Sequence, residues 1–518
     1  MKKVFIYITL ALAVSGCKKK LELLNPNAPV IATYWKTEAD AMAGVNAIYN
    51  ALILDGTYMR MFPALTDARG DDFQGDSPWG DLHNVGKFTI PTTSGPVEWL
   101  WHAHHILIFR ANQVLAKVPE IQMDAALKNR VLGQAHFLRG LAYFNLANTY
   151  KIVPVITTPP ATEEFFPATA SEEVLWNQIF SDFKSAKDLL PVSYVGLNGV
   201  DAGQIGRATK GAATGMLGKA FLYRKRWQDA ANEFNEFTNG SLKGVYNLMP
   251  DYRDNFKEIN ENNVESLFEV QFAQPDKVGG TVMNYGGEPG SNWKQVSSTG
   301  RTYAMDGYGY ADFLPTRWIY NEFKQEKTTD GKSDPRLLAT IASYEPADNS
   351  TTVYGNPWPH AQTAIYPRKY THDGLAWPGN DDQENSGINY RVLRYADILL
   401  MYAEALNELN RTAEAYPLIQ QVRTRAKLAN LATVRPNMTQ AQMRDQIAHE
   451  RALEFSVEAQ RINDIIRWGW LYDATKLAEL KAHDPDFNTW TPGNEYLPIP
   501  QRELDTNPNL LPNPANKS

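Results

Sequence analysis

Apolar side chains recur every three to four positions through much of the first half and the last quarter of the chain, which is the spacing of amphipathic helices. In the first half this periodicity predicts helices over Glu38–Leu54, Trp99–Val118, Lys128–Tyr150 and Ser171–Leu190. The last of these begins at Ser171, whose hydroxyl can cap a helix, and it stops before Pro191. The chain is therefore expected to be mainly α-helical.

Two further stretches have the pattern of a helical repeat. In Ala208–Phe237, the offsets at which a tetratricopeptide repeat places its large, small and aromatic packing residues are occupied by Leu217, Gly218, Phe221, Ala230, Phe234 and Phe237. The second stretch, Arg394–Ala426, fits the same template at Ala403, Leu406, Ala415, Ile419 and Val422. We predict a tetratricopeptide-like scaffold over about residues 31–240 and 391–470, with an insert between its two parts.

The insert, about residues 246–390, changes in composition. Between Gly279 and Gly309 there are 8 glycines in 31 residues, which excludes a long helix there. Aromatic residues lie among these glycines and, further on, among prolines, without a period of 2 or 3.6. The sequence predicts a large, loop-rich and irregular insert with little β structure.

Charge and cysteine content narrow the function classes. A net charge of −7 argues against nucleic-acid binding, and a sole cysteine, Cys17, excludes an intramolecular disulfide. Cys17 follows Met1-Lys2-Lys3 and the apolar run Val4–Val14, which is too short to span a bilayer. Val14–Cys17 looks like a bacterial lipobox, so we predict a signal peptide over 1–16, a lipidated Cys17 and a tether over 17–30. A plain secretory signal that contains a cysteine is the alternative.

Aromatic rings on ordered loops, mixed with polar side chains, suit ligands that have both apolar faces and hydroxyl groups, above all sugars. The candidate rings are Trp79, Trp293, Tyr308 and Trp358, and Asn292 and Arg69 are the candidate polar ligand contacts. For each ring the alternative is that it packs its loop onto the scaffold, and we expect two of the four to contact ligand.

Other polar clusters are expected to be structural. The acidic run Asp67–Phe73 could bind a structural calcium ion, but it lacks EF-hand spacing, and an Asp–Arg contact is the favoured interpretation. Charges within Glu450–Arg467 recur at helical spacing, which suits salt bridges between packed helices. His102 and His105 share a helix face without a third metal ligand in view. No catalytic motif is found, so we expect neither an enzyme nor a cofactor.

Taken together, these segments resemble the SusD/RagB family of outer-membrane lipoproteins from Bacteroidota. The resemblance covers nearly the whole mature chain and is carried by the lipobox, Asn25-Pro26, Arg69-Gly70-Asp71-Asp72, Ala135–Tyr150, Arg207-Ala208-Thr209, Tyr390–Leu406, Glu450–Gly469, Tyr496–Pro500 and Asn507-Pro508. It implies four tetratricopeptide-like repeats, a less regular ligand-binding half, and a lipid anchor in the outer membrane with the protein facing the cell exterior.

The resemblance also implies a partner and a ligand. Members of such families cap a SusC-like TonB-dependent transporter and capture glycan, or in some cases peptide, before import. Their ligand sites draw on aromatic residues at positions that match Trp79 and Trp293 here. Lys18–Lys20 replace the acidic residues that often follow the cysteine in surface-exposed members of this phylum, which leaves the leaflet orientation open.

We therefore expect one SusD-like domain over residues 31–518 that captures oligosaccharide nutrients and passes them to the transporter. Three alternatives stay open: a peptide-binding member of the family, a structural adaptor that uses its repeats to bind a membrane protein, and, on scattered carboxylates alone, a glycan-degrading enzyme.

Overall fold

The computed structural model describes residues 34–159, 165–273, 295–375, 384 and 386–517, which form a mainly helical protein. Its α-helices are α1 Glu38–Ala51, α2 Met61–Asp67, α3 Gly80–Gly86, α4 Gly95–Lys117, α5 Ala125–Tyr150, α6 Glu172–Leu189, α7 Lys210–Tyr223, α8 Trp227–Thr238, α9 Thr299–Tyr303, α10 Arg317–Gln325, α11 Pro335–Thr340, α12 Tyr395–Glu408, α13 Thr412–Arg425, α14 Leu431–Val434, α15 Gln440–Phe455, α16 Arg461–Trp468, α17 Ala474–His483 and α18 Gln501–Thr506. The strands are β1 Phe73–Gly75, β2 Ser266–Val270, β3 Phe313–Pro315, β4 Ile341–Ser343, β5 Thr352–Val353, β6 Asn356–Pro357, β7 Ile365–Pro367 and β8 Tyr390–Arg394.

The four helices predicted from periodicity in the first half are confirmed as α1, α4, α5 and α6, with ends that differ by a few residues. The predicted cap is also present, since the Ser171 hydroxyl accepts a hydrogen bond from the backbone N–H of Val174. The largest difference is at the start of α4, where Pro96 occupies the first turn and the helix begins at Gly95. Proline fits there because a first-turn N–H has no intrahelical partner.

The two predicted repeat units are the helix pairs α7–α8 and α12–α13. Gly218 and Phe234 explain how the first pair packs: a Cβ on Gly218 would lie 2.6 Å from a ring carbon of Phe234, so only glycine lets the two helices approach this closely. Phe234 and Ala230, the small residue of the same template, are fully buried. The small and aromatic offsets therefore mark the helix interface, as predicted.

The helical scaffold continues across the insert. Each helix from α4 to α8 contacts the next one, and α8 then contacts α12, although the whole insert lies between α8 and α12 in sequence. At its base, the insert is closed by antiparallel pairing of β2 with β8. The insert thus emerges from between neighbouring members of one helical stack.

The β structure is confined to short pairs, as predicted for the insert. Antiparallel pairing joins β1 to β3, β4 to β7 and β5 to β6. Strands β3 and β7 also contact each other, so that two of these pairs lie side by side. The insert packs on the scaffold through large rings such as Phe137 of α5 and Phe268 of β2, whose centroids are 4.8 Å apart. These contacts fix the loops that carry the candidate site.

Candidate ligand-binding site

A two-residue hairpin turn at the tip of β5 and β6 presents an aromatic ring. Tyr354 and Gly355 form the turn, with φ of 47° and 75° respectively, as type I′ hairpin turns require. Gly355 adopts this conformation without cost, whereas a bulky residue such as Tyr354 is strained in it. The backbone N–H of Tyr354 donates to the buried carboxylate of Asp373 at 2.6 Å, which helps to hold the strained turn. Strain of this kind is concentrated at functional sites.

The ring of Tyr354 stacks on Tyr308, one of the rings singled out from the sequence. Their centroids are 4.3 Å apart and their planes differ by 10°. The Asn356 side-chain amide donates to the Tyr308 hydroxyl at 3.2 Å and to the Tyr354 carbonyl. The loop that carries Tyr308 and the hairpin are therefore held together by ring stacking and by hydrogen bonds.

Trp358 lies just beyond the hairpin and faces a second group of rings. Its centroid is 6.5 Å from that of Tyr366 on β7, and the ring of His360 is 4.9 Å from Tyr366. The indole N–H of Trp358 donates to the Ala361 carbonyl at 3.1 Å, which fixes the ring plane. We call Tyr308, Tyr354, Trp358, His360 and Tyr366 the aromatic patch; all five side chains are half-buried.

Polar groups surround the aromatic patch. His360 Nε2 donates to the Asp306 carbonyl at 3.3 Å, and the Asp306 side chain is exposed. Burial raises the pKa of Tyr366, and the negative charge of Asp306 adds to this effect. Arg317 reaches the loop from α10 and donates to the Thr363 carbonyl at 2.6 Å. Half-exposed rings beside hydroxyl, amide and carboxylate groups can stack on C–H faces while they exchange hydrogen bonds with a polyhydroxylated ligand.

Trp79 flanks this region. It follows β1, and the Ser77 hydroxyl in the same loop donates to Asp312, at the end of the loop that carries Tyr308, at 2.6 Å. The Trp79 ring lies 5.8 Å from Trp99 and 5.6 Å below the Arg60 guanidinium. The structure therefore brings Tyr308 and Trp358 into one patch and places Trp79 on a neighbouring loop, with its ring packed on the scaffold.

Comparison with known proteins matches this fold and this sequence to one family. A family model described as "SusD family" matches residues 264–515, and one described as "Starch-binding associating with outer membrane" matches residues 36–222. The chain belongs to the SusD/RagB family. Its predicted class, a tetratricopeptide-like helical scaffold of the SusD kind, is confirmed as well.

Relatives of this SusD-family protein cover its whole length. "SusD-like protein P2" of Formosa agariphila is 27% identical over 541 residues, which are 99% of each chain. The crystal structure of a SusD superfamily protein from Bacteroides vulgatus is 29% identical, with a TM-score of 0.79 over 93% of this chain and 100% of that one. A structure described as a laminarin-binding SusD-like protein is 27% identical, with a TM-score of 0.74 over the same shares of the two chains.

The remaining candidates from the sequence divide into two groups. Trp293, Asn292 and the lipidation residue Cys17 lie outside the described residues. Arg69 is described, and its guanidinium is 1% exposed and donates to the backbone carbonyls of Leu65 and Glu495. Because Arg69 is enclosed by its own backbone partners, we correct its assignment from ligand contact to structural residue.

The acidic run of this SusD-family protein is part of the interior. Asp71 pairs with Arg461, at 3.0 Å between Oδ2 and Nη2, and with His483 at 2.7 Å. This is the Asp–Arg contact that the sequence favoured. Burial would raise the pKa of Asp71, but the charges and hydrogen bonds of Arg461 and His483 together outweigh burial and hold the pKa at about 2. Within the described ranges, no group of three or more His, Cys, Asp or Glu side chains could hold a metal ion.

The other two carboxylates of the run, Asp67 and Asp72, have raised pKa values, in contrast to Asp71. The Asp67 carboxylate accepts hydrogen bonds from the Tyr303 hydroxyl and the Ala459 N–H, both at 2.7 Å. Burial and the neighbouring Asp72 raise the pKa of Asp67 to about 8, and burial and Asp71 raise that of Asp72 to about 7. Both groups lie inside the protein and contribute to packing, not to a surface site.

The charges within Glu450–Arg467 are also structural, as predicted. We define the buried charge network as Arg394, Arg425, Glu265, Glu454 and Glu458. Arg394 contacts Glu454 at 3.0 Å and Glu458 at 2.7 Å, and Arg425 contacts Glu265 at 3.1 Å. Burial would raise the pKa of Glu454, but the guanidinium groups of Arg425, Arg394 and Arg336 hold it at about 2. The network joins Glu265, which immediately precedes β2, and Arg394 of β8 to α13 and α15 at the base of the insert.

The histidines of α4 follow the same structural pattern. His104 is buried, its Nδ1 hydrogen-bonds the Leu100 carbonyl at 2.8 Å, and burial lowers its pKa to about 4. His102 lies at the surface, 3.0 Å from Glu503.

No helix within the described residues is long and apolar enough to cross a bilayer.

Sequence reasoning missed three members of the aromatic patch. Tyr354, His360 and Tyr366 come together only through the β5–β6 turn and the pairing of β7 with β4. The dipeptide Tyr354-Gly355 between two short polar stretches was a usable signal for the turn, because glycine is favoured at its second central position. No local sequence signal indicated that the side chains of Tyr354, His360 and Tyr366 would point to the same surface.

Proposed function

We propose that this SusD-family protein binds oligosaccharides at the aromatic patch and, anchored by lipid at Cys17 in the outer membrane and facing the exterior, delivers them to a SusC-like TonB-dependent transporter. The observation that carries the binding proposal is the convergence of four Tyr and Trp rings and one His ring from separate loops on one half-exposed surface. The laminarin-binding relative, 27% identical to this chain, supports a saccharide as the ligand class.

The geometry supports a shallow site of modest affinity. The rings of Tyr308 and Tyr354 are stacked, so each covers one face of the other. A sugar ring would therefore contact their outer faces and edges together with Trp358. The exposed Asp306 carboxylate and the Asn356 amide supply hydrogen bonds to hydroxyl groups beside these rings. Rigid rings lose little conformational freedom on binding, but a shallow surface buries limited area.

The carboxylates beside the aromatic patch support binding and not catalysis. A glycosidase places two carboxyl groups on either side of the scissile bond, about 5 to 9 Å apart. Asp306 is exposed, but Asp373, which accepts the N–H of Tyr354, is buried in an ion pair with Arg368 at 2.8 Å. Asp373 therefore holds the turn and is not directed at a ligand. Incubation with polysaccharides should release no reducing ends.

Binding can be tested by calorimetric titration of residues 18–518 with a panel of defined oligosaccharides, including laminarihexaose, and of short peptides. We expect saturable heat with at least one saccharide and a Kd about tenfold weaker in Trp358→Ala and in Tyr308→Ala. Tyr310→Ala is the matched control, because Tyr310 is two residues from Tyr308 but its hydroxyl is bound to Glu384 and its face to Arg301.

Each outcome of this titration has a defined meaning. An unchanged Kd in both patch variants would remove the aromatic patch from the site, and saturable heat with peptides alone would replace saccharide with peptide as the ligand class. Silence across the whole panel would overturn the binding proposal in favour of an adaptor.

The delivery part of the proposal needs a separate experiment. The full chain should co-purify with a TonB-dependent transporter from outer membranes, and Cys17→Ser should release the protein from the membrane fraction. Co-purification with no transporter, or membrane retention of the Cys17→Ser variant, would contradict delivery or the lipid anchor, respectively.

A further inference from the structure

A second aromatic cleft lies entirely within the helical scaffold. It has a volume of about 600 Å³ and is lined by the turn between α7 and α8 and by residues of α12, α15, α16 and α17. This volume falls within the range of small-ligand sites. Among the described residues, none of the insert lines it, and it shares no side chain with the aromatic patch.

Two of its walls come from the segment Trp468-Gly469-Trp470. Two positions apart on a continuous helix, these rings would point in different directions, because successive residues turn by about 100°. Gly469 adopts a left-handed φ of 78° and ends α16, and the chain then turns sharply. The two indoles consequently meet, with centroids 4.9 Å apart and planes inclined by 37°, and both line the cleft.

A third indole, Trp227 at the start of α8, completes the aromatic lining. All three Trp side chains are half-buried, so they keep accessible surface. The Trp468 indole N–H donates to Glu404 at 2.9 Å, and the Lys476 ammonium lies 5.0 Å from the centre of the Trp470 ring. These contacts fix the planes of the Trp468 and Trp470 rings.

Charged groups form the floor and the rim of the cleft. Arg467 Nη2 pairs with Glu404 Oε2 at 2.8 Å in a site where both side chains are 5% exposed. At the rim, Arg444 pairs with Glu408 at 2.8 Å between Nη2 and Oε2. The rim pair, in which the Arg444 side chain is 50% exposed, offers a guanidinium and a carboxylate group beside the Trp rings of the cleft, whereas the buried Arg467–Glu404 pair holds the Trp468 ring in place. Planar polar groups beside aromatic rings match a pyranose ring, which has C–H faces and hydroxyl edges.

From this arrangement we infer that the cleft is a second saccharide-binding site, independent of the aromatic patch and separate from the function proposed above. A concave, preformed cleft with fixed rings suits a small ligand better than a flat protein interface, whose core lies on an exposed apolar surface. Three of the four basic lining residues are paired with lining carboxylates, Arg444 with Glu408, Arg467 with Glu404 and Lys476 with Asp445, which favours a neutral sugar over an anionic one.

The test uses residues 18–518 that carry Tyr308→Ala and Trp358→Ala, which removes two of the five rings of the aromatic patch; we call this double variant the patch-deficient protein. Calorimetric titration uses laminarihexaose, maltohexaose and cellohexaose as probes. We expect saturable binding of at least one probe to this patch-deficient protein, and about tenfold weaker binding when Trp470→Ala is added. Trp470→Phe, which keeps a ring at the same place, should retain most of the affinity.

Tyr472→Ala is the matched control, because Tyr472 lies in the same turn, is 64% exposed, and packs on Trp490 and Glu495 outside the cleft. Circular dichroism and thermal unfolding of each variant separate loss of a ring from loss of the fold. Binding that is unaffected by Tyr472→Ala and weakened by Trp470→Ala supports the cleft site.

Three results would overturn the inference. The first is saccharide binding by the wild-type chain that disappears completely in the patch-deficient protein, which would leave the proposed function intact. The second is binding that persists unchanged when both Trp470→Ala and Trp468→Ala are present. The third is a cleft variant that binds every probe as the wild type does but loses a membrane partner, which would assign the cleft to a protein interface. Absence of binding of all three probes to the wild-type chain would overturn the cleft inference, whereas the proposed function is decided by the wider saccharide panel.

Discussion

The buried charge network and the aromatic patch differ in residue type, in burial and in how completely their side chains are covered by other protein groups. In the network, Arg394 and Glu454 are at most 1% exposed at their side chains and satisfy each other. In the patch, Trp358 and Tyr308 are half-buried and keep surface that protein atoms do not cover. The network fixes the base of the insert to the scaffold, and the patch lies on the insert's loops. The buried, mutually paired charges therefore stabilise this protein, and the half-buried rings remain available to a ligand.

The largest effect is expected from Arg394→Leu, which should destabilise the fold strongly without changing the affinity of the aromatic patch for a ligand. Removal of this guanidinium leaves Glu265, Glu454 and Glu458 as buried carboxylates with fewer partners. Breaking a buried ion pair from one side costs about 3–5 kcal/mol, so the midpoint of chemical unfolding should fall strongly. Below that midpoint, the Kd for a saccharide probe should match that of the wild type.

Arg411→Leu is the control for this change. Its ion pair with Glu414 lies at the surface, with side chains 42% and 55% exposed, and pairs of this kind contribute about 0–1 kcal/mol. Equal destabilisation by the two substitutions would contradict the role given to the network. A large change in the Kd of the folded Arg394→Leu protein would show that the network and the patch are coupled.

The next effect concerns pH and the two buried carboxylates of the acidic run. Above its ordinary pKa of 3.8, Asp67 ionises in the unfolded chain, whereas burial in the folded protein keeps it protonated up to about pH 8. The folded state therefore binds the proton more tightly, and the stability that this provides is full below about pH 4 and lost as the pH rises towards 8.

Asp67→Asn, which cannot ionise, should flatten this dependence. We expect the wild-type melting temperature to fall by several degrees across that pH interval and the variant's to fall less. Asp71→Asn is the contrasting variant, since Arg461 and His483 together hold the pKa of Asp71 at about 2, so that Asp71 does not titrate in this interval. Parallel melting curves for the wild type and Asp67→Asn would contradict the raised pKa.

The sequence predicted the scaffold well because its signals are local. Helical periodicity, a capping Ser171 and the small residue Gly218 opposite Phe234 each act within one helix or one helix pair. The site was predicted only in part. Tyr308 and Trp358 were identified as rings in an irregular segment, but their convergence depends on a hairpin turn and on pairing between β4 and β7, which are distant in sequence.

Arg69 shows why polar candidates were harder to judge than helices. An arginine next to an acidic run has the same local sequence whether it lies at a surface or in the interior. Its two carbonyl partners, Leu65 and Glu495, are four and 426 residues away, and the second is visible only in the folded chain. Burial of a charged residue depends on such distant partners, which residue type and spacing do not encode.

The smallest effect is expected at Tyr354, where one substitution should change stability and ligand binding in opposite directions. Tyr354 occupies a left-handed turn position that costs a bulky residue about 1 kcal/mol, and an Asn-Gly pair is the favoured sequence for this turn. Tyr354→Asn removes the strain and also the stack on Tyr308. We expect the melting temperature to stay the same or to rise slightly, while the Kd for a saccharide probe weakens severalfold.

Tyr354→Phe completes the comparison because it keeps both the ring and the strain. It should bind as the wild type does and melt no higher, so that only the asparagine variant changes binding and stability in opposite directions. A Tyr354→Asn protein that binds as well as the wild type would show that the second ring of the stack does not contact the ligand. The strained turn would then serve the hairpin alone, and the site would reduce to Trp358, Tyr308 and the polar groups beside them.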